Sequence, residues 1–205
     1  MTRGEKPTFL SDVPNPSIDD NYLVAFVRKH TATLDDAHGF EHALSVYRNA
    51  IVIAESDFPG YERDLLMYAA MLHELPESVP RVILEDFVYA SLPPAKATAV
   101  LAIIEDVPIS KEANGSRKHL DSPYDMYLDI VSDADRLESI GTEGLARLER
   151  TTAMCGGRVP QDVVRHCNEA LLRLYEDGFV KTAMGRKLAL PLHRDVQDYV
   201  RVHRE

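Results

Sequence analysis

Helical periodicity runs through almost the whole chain from residue 18 onward, and this feature limits the folds that the chain can adopt. In HGFEHALSVYRNAIVIAE, Leu44, Tyr47 and Ile51 recur at spacings of three and four, which is the period of a buried helix face. No alternating apolar run is flanked by hairpin turns, so β-structure is not indicated. The 205 residues therefore predict a single-domain, all-α protein.

Breaks in the pattern predict where the helices begin and end. Prolines within residues 1–17 indicate a flexible N-terminal arm, which leaves 18–205 as the folded domain. A polar stretch over 108–123 indicates a loop. Helices are predicted over 18–30, 38–55, 61–75, 93–107, 124–140 and 142–154, and roughly over 160–177 and 180–203.

Charge and hydropathy narrow the classes of partner. The net charge of −10 argues against a nucleic-acid partner, because such a partner requires a basic face. It does not argue against an anionic small substrate, because a bound cation can reverse the local field. No apolar run reaches membrane-spanning length and no signal peptide is evident, so a cytoplasmic protein without membrane contact is expected.

Metal-binding side chains occur within apolar helical stretches. In DDAHGFEHALSV, a helix puts His38 and His42 on one face, where they either bind a metal or serve as a helix-border residue and a core histidine. In AAMLHELPES, Pro76 ends the helix, so that His73 and Glu74 lie in its last turn. A carboxylate at the C-terminal end of a helix opposes the helix dipole. An ordinary polar helix end therefore explains His73 and Glu74 less well.

A further stretch, SDADRLESIG, interrupts an apolar helix with several charges. A spacing of two puts Asp133 and Asp135 on different faces, so that one carboxylate can point inward while the other pairs or caps. The alternative is a solvated acidic face with an Asp–Arg ion pair. Two histidines and two carboxylates from three helices would give a mixed nitrogen and oxygen site, which suits manganese, iron, cobalt, nickel or zinc better than calcium.

The order of these stretches carries a family resemblance. EHALSV, AAMLHE and DADRLESIG resemble the H…HD…D pattern of the HD-domain metal-dependent phosphohydrolases, and nearly the whole chain is similar to their small bacterial members of the YedJ and YpgQ type. The resemblance implies an HD-type helical bundle and a divalent metal, with manganese preferred and magnesium among the alternatives. It also implies four metal ligands: His42, His73, Asp135 and, in place of the family's aspartate, Glu74.

The same resemblance implies roles for residues near the metal. Glu77 stands where many relatives have an acidic residue that orients the attacking water, and it is the expected general base. Lys111, in the connector LAIIEDVPISKE, is the expected phosphate contact, and His38 is expected to order the metal ligands or the leaving group. Arg136 either reaches phosphate or pairs with a carboxylate of its own helix, and the ion pair is favoured.

The implied function is a metal-dependent phosphohydrolase that acts on a nucleotide, or on a related phosphate ester or anhydride, through metal-activated water. A nucleotide-sensing module without activity is the first alternative, and the glutamate at position 74 is its main support. A di-iron oxygenase is the second, but it needs further histidines, for which only His38 and His119 are nearby in the chain. The expected partner is a small phosphorylated substrate, and an apolar helix face is compatible with a homodimer.

Overall fold

Helices form the regular structure of the protein, and the all-α prediction is confirmed. The computed structural model describes residues 18–34 and 38–204, and these ranges contain no strand. The predicted arm, 1–17, lies outside the described residues. The helices are α1 (Asn21–Thr31), α2 (Phe40–Asp57), α3 (Arg63–Leu72), α4 (Arg81–Ser91), α5 (Pro94–Asp106), α6 (Ile109–Ala113), α7 (Tyr124–Ser139), α8 (Gly141–Met154), α9 (Gln161–His166), α10 (Leu172–Glu176) and α11 (Ala183–Val202).

The centre of the bundle is the pair α2 and α7, which pack against each other. Helices α3 and α11 contact both of them, and α5 contacts α3 and α7. Large side chains fill the space between these helices, with Tyr47, Leu66, Ile103 and Tyr127 among the fully buried ones. Burial of an apolar side chain of this size stabilises the fold by about 1.5–3 kcal/mol, so the two central helices are firmly held.

The end of α3 is shaped by Pro76. The helix ends at Leu72, and a 3₁₀ turn over Leu75–Glu77 follows. Proline lacks an N–H and disfavours a helical conformation in the residue before it, so the regular helix cannot continue. Leu75 is fully buried and anchors the turn, which leaves His73 and Glu74 directly after the last turn of α3, whereas the sequence predicts them within it.

Two helices differ from the predicted pattern. The sequence predicts no helix over the segment that forms α4, because only Leu84 and Val88 are buried there, while Val82, Ile83 and Tyr89 are exposed and blur the period. The short helix α6 lies within the stretch predicted as a loop. Its single turn is too short to show a period in the sequence.

The exposed apolar side chains of α4 form one candidate surface for a second copy of the chain. A homodimer nevertheless stays a prediction, because these residues alone do not identify what would cover them. Within the described ranges, no helix has both the length and the apolar character that crossing a bilayer requires.

Candidate metal centre

Four side chains from three parts of the bundle meet at its centre. His42 comes from the first turn of α2, His73 and Glu74 from the end of α3, and Asp135 from the C-terminal half of α7. One ligand atom from each lies within 4.8 Å of the others, and this is the one such group found among the described residues. The structure therefore brings together all four residues that the sequence proposes as metal ligands.

The two imidazoles face the two carboxylates at short range. Nε2 of His73 lies 3.2 Å from Oε1 of Glu74 and 3.7 Å from Oδ1 of Asp135. Nε2 of His42 lies 3.6 Å and 3.4 Å from the same two oxygens. Neighbouring ligands around an ion with bonds of about 2.1 Å lie about 3.0–3.4 Å apart. Two of the four separations fall in this range, and the other two exceed it by 0.2–0.3 Å.

Charge pairing shifts the pKa values of this group strongly. Burial opposes a charge on His73, yet the hydrogen bonds that its ring donates to Asp135 and Glu74 raise its pKa to about 10. Burial likewise opposes a charge on Glu74, but His42 and His73 lower its pKa to about 2. The pKa of Asp135 is lowered, against its burial, by the same two histidines. Two negative charges are thus fixed at the site, and either two protons on the imidazoles or one divalent cation balances them.

The contact made by Nδ1 of His73 is compatible with a bound metal cation. Its Nδ1 lies 2.7 Å from the backbone oxygen of Ala70, a contact that requires the proton on Nδ1. The neutral imidazole then presents the lone pair of Nε2 to the cluster, which is the arrangement that metal-binding histidines use. Two nitrogens and two carboxylate oxygens suit manganese, iron, cobalt, nickel or zinc better than calcium, so the residues present fit such an ion.

The cluster opens into a cavity of about 300 Å³. The side of the cavity away from the ligands is formed by α8, by the end of α7 and by the π-helical turn Cys167–Leu171 that joins α9 to α10. Its lining residues are His38, His42, Glu74, Asp135, Glu138, Ser139, Gly144, Arg147, Leu148, Thr151, His166 and Leu171. A small molecule in this cavity would lie directly against the four candidate ligands.

Glu138 adds a further carboxylate to the cavity wall, one turn after Asp135 on the same face of α7. Nδ2 of the buried Asn49 donates a hydrogen bond of 3.0 Å to Oε1 of Glu138. Arg147 lies on the other side of this carboxylate. Its Nη2 lies 3.6 Å from Oε2 of Glu138 and donates a hydrogen bond to the backbone oxygen of Glu138. The carboxylate is therefore held in place from two directions.

The two aspartates of DADR serve different parts of the structure. Asp133 is fully buried and accepts hydrogen bonds from the backbone N–H groups of Lys181 and Thr182 at 2.7–3.0 Å. It also accepts a 2.8 Å hydrogen bond from the hydroxyl of Thr182, next to the start of α11. The sequence predicts opposite faces for the two aspartates, and the structure agrees: Asp135 points to the cluster and Asp133 to the segment before α11.

Arg136 is buried in an ion-pair network rather than in the cavity. Its Nη2 lies 2.8 Å from Oε2 of Glu112, and its Nη1 lies 3.7 Å from Oδ1 of Asp133. Glu112 also pairs with Arg117 at 2.6 Å and with Lys181 at 2.8 Å. The favoured structural role of Arg136 thus fits, although its nearest carboxylate belongs to α6 and not to α7, and Nη1 also donates a hydrogen bond to the backbone oxygen of Phe179.

The three residues proposed for catalysis lie in different surroundings. His38 lines the cavity, two residues before α2 begins. Glu77 is exposed on the 3₁₀ turn and is not among the cavity residues. Lys111 is also outside the cavity lining, and its Nζ donates a 3.3 Å hydrogen bond to Oδ1 of the buried Asp106. The structure therefore places only His38 of these three beside the cluster.

Sequence reasoning missed part of the cavity wall. The position of Glu138 follows from helical spacing, because a residue three after Asp135 lies on the same face. Arg147 and Thr151 share a face of α8 for the same reason, but the sequence does not say which face turns toward the ligands. No sequence pattern indicated that His166 lines the cavity, because the π-helical turn that begins after it alters the helical register.

The order of the four candidate ligands along the chain, and their meeting point between the central helices, correspond to an HD-type fold. Comparison with solved structures confirms this fold. No family model matches the chain, and no curated protein shows significant similarity to it. The likeness to known proteins therefore rests on structure.

YpgQ of Bacillus subtilis, solved in complex with ADP, is 23% identical with a TM-score of 0.68, over 88% of this chain and 90% of that one. A protein of Lactobacillus plantarum is 23% identical with a TM-score of 0.74, over 89% and 93%. An HD-superfamily hydrolase of Bacillus thuringiensis is 22% identical with a TM-score of 0.65, over 88% and 92%. At these identities the similarity shows the fold, and the chemistry must be argued from the residues.

Proposed function

We propose that the protein is a metal-dependent phosphohydrolase whose substrate is a small phosphorylated molecule, most naturally a nucleotide. The observation that carries the proposal is the cluster of His42, His73, Glu74 and Asp135 at one side of a cavity of about 300 Å³. A cavity of this volume lies at the small end of the range for ligand sites. The complex of the structurally similar YpgQ with ADP supports the nucleotide.

The four ligands would hold one divalent cation, and we propose manganese as the first candidate. When bound, such a cation supplies a Lewis acid for phosphoryl oxygen and lowers the pKa of a water molecule. The chain itself supplies orientation: the Ala70 carbonyl fixes the ring of His73, and burial of both histidines excludes competing water. Glu74 reaches the cluster although it is one methylene longer than aspartate, which supports a ligand role for it.

The proposed roles of the neighbouring residues differ in how far their positions support them. His38 lies in the cavity wall, which supports its role in ordering the ligands or the leaving group. Glu77 as general base would require its exposed carboxylate to turn toward the cluster. Lys111 as phosphate contact would require its ammonium to leave Asp106. The latter two proposals therefore need direct tests.

The test is turnover by the full chain after removal of metal with a chelator. Manganese, magnesium, cobalt, nickel, zinc or iron(II) is added back, and release of phosphate and of pyrophosphate is followed over a panel of nucleotides. Metal-dependent release supports the proposal, and the product identifies the bond that is cleaved. Folded, metal-loaded protein that releases neither product would contradict it and would favour a binding module.

A further inference from the structure

We propose that Arg147 is the phosphate-binding cation of the cavity and that Glu138 holds it until an anion takes its place. This inference rests on the proposed function, because it assigns the contact opposite the metal for the same phosphoryl group. It differs from the sequence-based expectation, which gives that role to Lys111. Among the described residues that line the cavity, Arg147 is the only lysine or arginine.

The first argument is the position of Arg147. Gly144, Arg147, Leu148 and Thr151 follow the spacing of one helix face, and all four line the cavity. A Cβ on Gly144 would lie 2.4 Å from the backbone oxygen of Ser139, so glycine lets α8 approach the end of α7 this closely. The close approach brings Arg147 to the wall of the same cavity that His42, Glu74 and Asp135 line, so that its guanidinium faces the space where a phosphoryl group bound to the cation would lie.

Few atoms of the Arg147 guanidinium contact other described residues. The contacts of Arg147 with described residues use Nη2, which bonds to the backbone oxygen of Glu138 and faces its carboxylate at 3.6 Å. No contact with a described residue uses Nε or Nη1, and either of them, together with the second hydrogen of Nη2, can form the forked pair of bonds that guanidinium makes to phosphate. The side chain is partly exposed, and its contact with the Glu138 carboxylate is too long for a hydrogen bond. Exchanging this ion pair for phosphate therefore costs little, provided that Nη2 keeps its bond to the backbone oxygen of Glu138.

The third argument concerns Glu138. If Arg147 turns to an anion, the Glu138 carboxylate still accepts the 3.0 Å hydrogen bond from Asn49, whose side chain is buried. The exchange therefore does not strand an unpaired carboxylate. Lys111 differs in the burial of its partner. Asp106 also accepts a 2.9 Å hydrogen bond from the backbone N–H of Lys118, but it is almost fully buried, so losing the Lys111 charge costs more there than losing Arg147 costs the partly exposed Glu138.

The experiment is calorimetric titration of inorganic phosphate into manganese-loaded protein, with five variants beside the wild type. We expect Arg147→Gln to weaken phosphate binding by about tenfold or more, since a charge-assisted contact is lost. We expect Glu138→Gln to tighten binding a few-fold, because the competing charge is removed. Arg147→Lys should lie between wild type and Arg147→Gln, since lysine keeps the charge without the fork.

One variant serves as the control for net charge. Arg150→Gln removes the same charge from an exposed position on α8 and should bind phosphate like the wild type. Lys111→Gln is not a control but the test of the rival cation: the assignment of Arg147 predicts wild-type phosphate affinity in this variant, and the sequence-based role of Lys111 predicts a loss. Opposite shifts in Arg147→Gln and Glu138→Gln would separate anion binding from a purely structural ion pair, whose loss lowers the melting temperature in both variants without opposite effects on affinity.

The outcomes separate this inference from the proposed hydrolase. The expected pattern of phosphate affinities without any turnover would keep the phosphate site and overturn the hydrolase. Metal-dependent turnover with unchanged phosphate affinity in Arg147→Gln would support the hydrolase and overturn the assignment of Arg147. Loss of binding in Lys111→Gln alone, or no phosphate binding by the wild type at millimolar concentration, would overturn the assignment of Arg147. If Arg147→Gln fails to fold, the affinities of Arg147→Lys and Glu138→Gln decide.

Discussion

Nε2 of His42 and Nε2 of His73 lie 3.2 Å apart, with both rings buried and two carboxylates within 3.7 Å. Two nitrogen lone pairs repel each other at this distance unless a proton or a cation lies between them and the carboxylates. Folding of the bundle builds this arrangement, because His42 and His73 come from helices that pack on each other. The stability of the protein should therefore depend on what occupies the cluster.

Metal binding should stabilise the protein. Manganese at a hundred times its dissociation constant should raise the free energy of unfolding by about 2.7 kcal/mol. The measurement is thermal unfolding of chelator-treated protein with and without the ion. His73→Gln should lose the increase, while His119→Gln, at an exposed position, should keep it. An equal increase in both variants would contradict binding at the cluster.

The length of Glu74 should matter as much as its charge. Its Oε1 reaches both imidazoles, so Glu74→Asp should withdraw the oxygen and weaken metal binding by about tenfold. Glu74→Gln keeps the length but loses the charge, and it should weaken binding further. Calorimetric titration of manganese measures both. If Glu74→Asp bound the metal more tightly, the cluster would instead be shaped for aspartate.

Asp133 and Asp135 should separate stability from metal binding. Asp133→Asn keeps the volume but removes a buried charge that accepts three hydrogen-bond donors near Thr182, at an expected cost of about 2–3 kcal/mol. Its metal affinity should be unchanged. Asp135→Asn should show the opposite pattern, with metal binding lost and the fold retained. Denaturant unfolding and metal titration of both variants check this, and a shared loss of metal would show that the two sites are coupled.

Glu112 should make the fold sensitive to acid. Burial opposes its charge, but Lys181, Arg136 and Arg117 lower its pKa from 4.5 to about 2. Because the folded-state pKa is the lower one, the stabilisation is fully present above about pH 4.5 and is lost as the pH falls toward 2. Partial exposure limits it to about 1–2 kcal/mol.

The check for Glu112 is denaturant unfolding of the wild type and of Glu112→Gln across this pH range. The difference between the two should shrink as the pH falls. Glu143→Gln, at an exposed position on α8, should follow the wild type at every pH. A difference that stays constant with pH would mean that the Glu112 charge does not contribute.

The roles of Glu77 and Glu138 should be distinguishable by kinetics. A general base contributes about 10²–10⁴-fold to the rate, so Glu77→Gln should lower kcat by at least that lower bound if the sequence-based role is right. Glu138→Gln should change KM more than kcat, because Glu138 acts through Arg147. A pH–rate profile that keeps its acidic limb in Glu77→Gln would exclude Glu77 as the base.

The fold follows from helical periodicity, and the four candidate ligands follow from the order of the motifs that carries the family resemblance. Local features explain part of their placement, because Pro76 ends α3 shortly before His73 and Glu74 and the spacing of Asp133 and Asp135 separates their faces. The cavity wall does not follow in this way. The close approach of α8 depends on Gly144, and the position of His166 depends on a π-helical turn, and neither shows as a period.

The same limit explains Lys111 and Arg136. Their charges are visible in the sequence, but their partners Asp106 and Glu112 are set by how α5, α6 and α7 pack. An ion pair between elements depends on tertiary contacts, which helical spacing does not specify. The sequence therefore predicts which residues carry charge at the site more reliably than it predicts which of them face the cavity.

The most direct test of the account is phosphate or pyrophosphate release by chelator-treated protein, before and after manganese is restored, in the wild type and in Asp135→Ala. Asp86→Asn, at an exposed position on α4, is the matched control. The account predicts release that needs the metal, persists in Asp86→Asn and is lost in folded Asp135→Ala. Release that is unaffected by the chelator, or that survives in Asp135→Ala, would contradict a metal centre at this cluster as the source of activity.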